Sequence, residues 1–205
     1  MLKQDSKKAY KDLYAPKSTP GIIVVPPMNF ILVEGEGDPN GEDFSLATAA
    51  LYSVSYAVKM SYKSTNVPAG YTEYKVFPLE GVWDLIDKNL PATVKNNFKY
   101  QLMIRQPEFL TAELFADFLV ATKKKKPNIY LEHAKFITLE EGLCCQLLHL
   151  GSYDSEPASF SRMEEFCQLN GYNRKALTHR EIYLSDPRKT VAEKLKTVLR
   201  FQVSN

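Results

Sequence analysis

Residues 179–187 read His-Arg-Glu-Ile-Tyr-Leu-Ser-Asp-Pro, a stretch that predicts a β-strand ending in a turn. Because side chains alternate along a strand, Ile182 and Leu184 share one face, whereas Glu181 and Tyr183 share the other. The first face is apolar and suits a core. If the second faces a cavity, its carboxylate and phenol could grip a cationic or polarised ligand or move a proton. The same pattern is also typical of a solvated strand face.

The composition is that of a soluble globular domain, with 44% hydrophobic and 24% charged residues in a chain of 205. A net charge of +2 gives no electrostatic argument for a nucleic-acid partner, and we expect none. The polar start has no signal-peptide core, and the longest apolar runs are only strand-length, so we expect no membrane association. Three cysteines without a Cys-x-x-Cys spacing predict reduced, buried thiols and a cytoplasmic protein.

Hydrophobic periodicity predicts three main helices. Apolar residues recur every three to four positions from Asp43 to about Tyr62, and again after Thr111, a candidate N-cap, to about Lys123. The third helix begins near Pro157 and ends at Asn170-Gly171. Alternating or apolar segments between them predict strands, which comprise residues 28–34, 74–83 with an interruption at Pro78, 98–104, 130–137, 143–150, 179–184 and 197–203.

These elements repeat in order: strand, turn, helix, strand, strand, twice. The turn residues Gly35 and Asp38 lie 116 positions before Gly151 and Asp154. We therefore predict an α+β fold of duplicated strand-helix-strand-strand units, related by a pseudo-twofold and enclosing a central cleft. Residues 1–20 are interpreted as an N-terminal arm. Residues 21–205 are interpreted as a single domain, with halves of about 21–110 and 111–205.

Common cofactor motifs are not matched. Gly35-Glu-Gly-Asp lacks a third glycine and carries acids that would repel phosphate, so it is interpreted as a strand-to-helix turn. The three histidines, His133, His149 and His179, are not spaced as a metal site. Cys144-Cys145 lies in an apolar strand rather than in a nucleophile motif. We expect no metal and no organic cofactor.

The duplicated plan, residues 74–83 (Tyr-Lys-Val-Phe-Pro-Leu-Glu-Gly-Val-Trp) and residues 181–188 (Glu-Ile-Tyr-Leu-Ser-Asp-Pro-Arg) resemble the GyrI-like small-molecule-binding family. The resemblance covers about residues 20 to 205 and points to the stand-alone bacterial branch. It implies a ligand cleft between the two halves, with an aromatic cage and a glutamate that matches Glu181. Members serve as drug-sensing parts of transcription regulators or as free-standing gyrase inhibitors. We expect no DNA-binding domain at either end here.

The resemblance also implies the candidate site. Glu181 and Tyr183 are the candidate catalytic residues, while His179 is interpreted as a rim residue. The candidate ligand-binding residues lie on the counterpart strand, before it, or in the second turn: Trp83, Tyr153, Phe77, Glu80 and Tyr74. Each has an alternative role, because Trp83 and the other aromatics could be core packing and Glu80 could be surface-exposed.

Some stand-alone members are implied to be hydrolases that open the cyclopropane ring of alkylating natural products. The first hypothesis is therefore a hydrolase that detoxifies such compounds, with Glu181 as general base and Tyr183 or Tyr153 polarising a substrate carbonyl. The second is a protein that binds or senses drugs without turnover. A third, ranked lower, is an interaction protein whose partner is a macromolecule such as gyrase. We expect a monomer or a weak homodimer with an aromatic, cationic or electrophilic ligand.

Overall fold

The computed structural model describes residues 10–91 and 93–205. In chain order the helices and strands are α1 (Lys11–Tyr14), β1 (Gly21–Val25), β2 (Met28–Glu36), α2 (Glu42–Met60), β3 (Leu79–Leu85), β4 (Phe98–Arg105), α3 (Ala112–Lys125), β5 (Lys135–Leu139), β6 (Gly142–Leu150), α4 (Glu156–Leu169), β7 (Asn173–Arg174), β8 (His179–Tyr183) and β9 (Lys196–Ser204).

The chain divides into two compact units that alternate along the sequence. The first unit contains Met28–Leu79 and Leu85–Leu139. The second contains the described residues up to Pro27, together with Glu80–Asp84 and Glu140–Asn205. The predicted halves, about 21–110 and 111–205, remain a prediction.

The first unit is a three-stranded antiparallel sheet with two long helices. Its strand order is β4, β2, β5. α3 begins where the Thr111 hydroxyl accepts a hydrogen bond from the Leu114 amide at 3.2 Å, which is the predicted N-cap. α2 buries an apolar stripe at helical spacing, which includes Ala47, Leu51, Val54 and Val58.

The second unit is an antiparallel sheet ordered β1, β6, β9, β8, with residues 80–83 of β3 paired to β8 and the short β7 paired to β9. α4 packs on one face of it through Met163 and Cys167. The strand residues of that core are Cys145, Leu147, Leu199, Phe201 and Val203. All three cysteines are buried and unbridged, as the sequence predicted.

Strand register fixes which side chains share a face of β8. Gly81 lies opposite Glu181, and Trp83 lies opposite His179. These residues therefore share a face, on which α4 packs. Arg180 projects from the other face, where Ile182 is also buried. The alternation predicted for residues 179–183 is the one observed.

The predicted α+β class is confirmed, and two strand boundaries are corrected. The strand predicted at 74–83 begins only at Leu79, because Pro78 has no backbone N–H to donate to a ladder. The strand predicted at 130–137 is a 3-10 turn at Ile129–Glu132 followed by β5. Of the predicted N-terminal arm, residues 1–9 lie outside the described residues, and Lys11–Tyr14 form α1. Among the helices described, none is long and apolar enough to cross a bilayer.

Candidate functional site

A chain of hydrogen bonds links three of the predicted site residues within the second unit. The Trp83 indole N–H donates to the Tyr183 hydroxyl at 2.9 Å. That hydroxyl donates in turn to Glu181 Oε2 at 2.8 Å. Trp83 is 6% exposed, and the Glu181 side chain is 12% exposed. The face of β8 predicted to carry the chemistry is thus an ordered polar cluster rather than a solvated strand face.

Gly81 makes this arrangement possible. A Cβ at position 81 would lie 2.7 Å from Trp83 Nε1 and 3.2 Å from the Tyr183 hydroxyl. Distances below about 3 Å are not tolerated by real Cβ atoms. The indole therefore lies across the bare backbone of Gly81 and reaches the phenol because residue 81 has no side chain.

His179 contacts Glu181, and its interpretation as a rim residue stays a prediction. His179 Nε2 lies 3.0 Å from Glu181 Oε1, and Nδ1 lies 3.3 Å from the Leu177 carbonyl oxygen. Both ring nitrogens face acceptors, so both N–H groups donate when the imidazole is protonated. The Phe160 ring packs edge-on against this imidazole at 4.7 Å between centroids.

Glu156 is a candidate site residue that the sequence did not single out. It is the first residue of α4 and is 5% exposed, and its side chain hydrogen-bonds with Glu181. Its Oε1 is buried and has no other hydrogen-bond partner in the described chain. Burial first, and the facing Glu181 second, raise the pKa of Glu156 to about 10.

The two tyrosines of the cluster both have raised pKa values. Tyr153, in the turn before α4, packs edge-on against Tyr183 with 6.0 Å between ring centroids. Burial, followed by the charge of Glu181, raises the pKa of Tyr153 to about 12. The same two causes raise the pKa of Tyr183 well above its usual range. Both phenols therefore stay protonated at neutral pH, and that of Tyr183 donates to Glu181.

Glu80 lies on the other face of β3 and is fully buried. Arg180 donates to its Oε2 at 2.7 Å, and the Tyr14 hydroxyl donates to its Oε1 at 2.9 Å. Arg180 also pairs with Glu141, which pairs with Arg200 at 3.1 Å. Both oxygens of Glu80 therefore belong to an internal hydrogen-bond and ion-pair network, so the alternative of surface exposure is wrong. Its assignment as a ligand-binding residue remains a prediction.

Tyr74 and Phe77 lie in the first unit, and both are buried. The Arg105 guanidinium lies 5.0 Å from the centroid of the Phe77 ring. Tyr74 packs against Phe77 and Phe109, and burial raises its pKa above the usual tyrosine range. Their assignment as ligand-binding residues remains a prediction.

The arrangement supplies three chemical functions in one place. Glu156, whose pKa is raised to about 10, provides a carboxylic acid beside the carboxyl group of Glu181. The phenols provide hydrogen-bond donors, and Trp83 with the two tyrosines provides aromatic surface. Within the described residues no group of three or more His, Cys, Asp or Glu side chains is placed to hold a metal ion.

These features are those of a small-molecule-binding domain, and the comparisons with known proteins agree. The GyrI-like small molecule binding domain family matches residues 18–204, so the chain belongs to that family. An uncharacterised conserved protein from Listeria innocua is 39% identical, with a TM-score of 0.93 over 98% of this chain and 100% of its own. A protein described as a hydrolase from Listeria innocua is 37% identical, with a TM-score of 0.93 over 99% of this chain and all of its own.

A more distant structure supports the fold alone. The EcmrR C-terminal domain is 14% identical and superimposes with a TM-score of 0.57 over 91% of this chain and 98% of its own. None of the curated proteins matches this chain.

Proposed function

We propose that this protein binds an aromatic or cationic small molecule against Trp83, Tyr153 and Tyr183, and hydrolyses a cyclopropane-bearing alkylating compound there. The observation that carries the proposal is the meeting of Glu156 with Glu181. Two carboxyl groups whose environments differ provide an acid and a base in the same site. Further support comes from two Listeria innocua structures described as hydrolases, which are 37% and 38% identical to this chain.

The proposed reaction adds one water molecule to the ligand. Glu181 takes a proton from water, and the water oxygen forms a bond to a cyclopropane carbon. The ring C–C bond breaks, and its electron pair moves into a conjugated carbonyl, whose oxygen takes the proton of Glu156. The hydrogen bond between the two carboxyls then returns the proton from Glu181 to Glu156. Tyr183 or Tyr153 donates a hydrogen bond to the developing oxyanion.

The test is to incubate the protein with a cyclopropane alkylator and follow the ligand by mass spectrometry. We expect the ligand to gain the mass of one water. Replacing either carboxyl (Glu181→Gln or Glu156→Gln) should lower the rate by roughly a hundredfold or more, the range for a general acid or base. Glu193→Gln, at an exposed turn, is the matched control and should turn over like the parent. If Glu181→Gln is as fast as the parent, Glu181 is not the base.

The second candidate function is binding without turnover, in drug sequestration or sensing. The specific observation in its favour is the membership of a small-molecule-binding family. A ligand protected stoichiometrically and recovered with unchanged mass would establish this function over hydrolysis. For either function we propose a cytoplasmic protein, acting as a monomer or weak homodimer without a cofactor.

A further inference from the structure

His149 is a buried histidine that takes no part in the proposed reaction. It lies near the end of β6 and is 4% exposed. Its cross-strand neighbour on β9 is Thr197, which is in turn the neighbour of Tyr183 on β8. His149 therefore lies in the same cross-strand row as a site residue, on the face of the sheet that α4 covers.

Both ring nitrogens of His149 bind the segment that follows β6. Nδ1 lies 2.9 Å from the Ser159 hydroxyl. Nε2 lies 3.0 Å from the Ser152 carbonyl oxygen and 3.2 Å from the Ser155 hydroxyl. The Ser155 hydroxyl itself donates to the Ser152 carbonyl at 2.7 Å.

Only one neutral tautomer satisfies all these contacts. The Ser152 carbonyl oxygen can only accept, so Nε2 carries the proton and donates. Because the Ser155 hydroxyl already donates to that carbonyl, its oxygen is an acceptor toward Nε2. Nδ1 is then unprotonated and accepts a hydrogen bond from Ser159.

The serines bonded to His149 lie next to two candidate site residues, Tyr153 in the turn and Glu156 at the start of α4. Ser152 and Ser155 enclose Tyr153, and Ser155 precedes Glu156 directly. Ser159 lies one turn further along α4, on the same side as Glu156. Gly151 gives the ring access to this turn, since a Cβ there would lie 2.9 Å from the Ser155 hydroxyl.

We infer that His149 is a positioning residue that holds the turn at residues 152–155, from which α4 begins, so that Tyr153 and Glu156 face Glu181. The inference rests on the proposed function for its effect on turnover, but its structural part can be tested without a ligand. The hydrogen bonds of Nε2, to Ser152 and Ser155, hold the turn, whereas Nδ1 bonds only to Ser159.

The contacts of the two ring nitrogens can be separated by substitution. In His149→Gln the side-chain Nε2 takes the place of the imidazole Nε2 and keeps the donor to Ser152. In His149→Asn the shorter amide reaches only the position of Nδ1 and keeps the acceptor for Ser159. Ser159→Ala removes only the hydrogen bond to Nδ1. Ser161→Ala is its matched control, because the exposed Ser161 hydroxyl donates to the Pro157 carbonyl oxygen.

The first measurement is the carbon NMR signal of the Glu156 carboxyl, followed against pH in the ligand-free protein. We expect the parent and His149→Gln to titrate far above an ordinary glutamic acid, and His149→Asn to titrate at least about one pH unit lower, because Glu156 no longer faces Glu181. Nitrogen NMR of the parent imidazole should show the Nε2-protonated tautomer. That second measurement needs no variant, so it tests the inference even if His149→Asn does not fold.

Turnover of the cyclopropane alkylator should divide in the same way. In His149→Asn we expect kcat to fall roughly tenfold to a hundredfold and KM to rise by a smaller factor, since Tyr153 is displaced but the Trp83 and Tyr183 surfaces stay on their strands. His149→Gln and both serine variants should remain within about threefold of the parent. An Nδ1-protonated tautomer, or equal titrations in the Gln and Asn variants, would overturn the inference. A shifted titration with no turnover by the parent would instead refute the proposed hydrolysis.

Discussion

On one face of β8, Arg180 lies between the carboxylates of Glu80 and Glu141; on the other face, Glu181 meets a second carboxyl, Glu156. Burial alone would raise the pKa of Glu141, but Arg180 and Arg200 outweigh it and hold that pKa below its usual range. No arginine is among the causes that shift the pKa of Glu156, which rises to about 10.

The comparison shows that burial gives a carboxyl group different properties depending on what faces it. A carboxylate facing arginine is fixed in its charged form and stabilises the fold only while its partner is present. A carboxyl facing another carboxyl keeps a proton that can move between the two. Of two adjacent residues on one strand, Arg180 therefore serves structure, and Glu181 is the one to which the proposed function assigns chemistry.

The largest change in stability should come from removing Arg180, which pairs with two buried carboxylates on its face of β8. Arg180→Met leaves Glu80 and Glu141 without that cation in a site where the Glu80 side chain is 0% exposed. We expect the free energy of unfolding to fall by about 3–5 kcal/mol, measured by denaturant unfolding. Arg188→Met is the control, because Arg188 pairs with Asp186 at a similar distance but is 84% exposed. Its cost should stay below about 1 kcal/mol, and equal losses would contradict the comparison.

On the opposite face of β8, where Glu181 meets Glu156, replacing Glu156 by Gln should stabilise the protein at neutral pH. The folded state keeps the Glu156 proton up to about pH 10, whereas an unfolded glutamic acid loses it near 4.5. The stability due to this proton is complete below 4.5 and is lost as the pH rises toward 10. The parent should therefore lose up to about 1.4 kcal/mol per pH unit across this window, and Glu156→Gln should remove that slope. Denaturant unfolding at several pH values measures it, and a variant with an unchanged slope would refute the assignment.

The sequence predicted the fold well because local pattern determines most of it. The helices at 42–60, 112–125 and 156–169 and the strand at 98–105 follow directly from apolar periodicity and caps. The alternation at 179–183 predicted which residues face the core. Strand 74–83 was placed too early, because the aromatic residues before Pro78 resemble a strand without forming a ladder.

The site was only partly predictable because its partners are distant in sequence. Glu156 reads as an ordinary acidic residue in the first turn of a helix, which the helix dipole favours. Its contact with Glu181 depends on how α4 crosses the sheet, and no local pattern encodes that. The same holds for Glu80, whose partners Tyr14 and Arg180 are 66 and 100 residues away.

A smaller effect is expected at Gly81, where the carboxyl face is built around a missing side chain. In Gly81→Ala the new methyl group would displace the Trp83 indole from its hydrogen bond with Tyr183. We expect a loss of about 1–3 kcal/mol in the free energy of unfolding and a shift in the emission of this protein's one tryptophan. Gly21→Ala is the control, since a Cβ there meets nothing within 4 Å. Unchanged emission in Gly81→Ala would show that the indole does not depend on this contact.

The smallest expected change in stability is at Tyr183, whose hydroxyl links the Trp83 indole to Glu181. Tyr183→Phe keeps the ring but removes the acceptor of the Trp83 N–H and a donor to Glu181. We expect a loss of about 0.5–1.5 kcal/mol, measured by denaturant unfolding, and Tyr56→Phe at a 49% exposed position should cost less. The turnover rate should also fall, because the hydroxyl that orients Glu181 is lost. If stability fell sharply while the rate was unchanged, Tyr183 would belong with Arg180 as a structural residue.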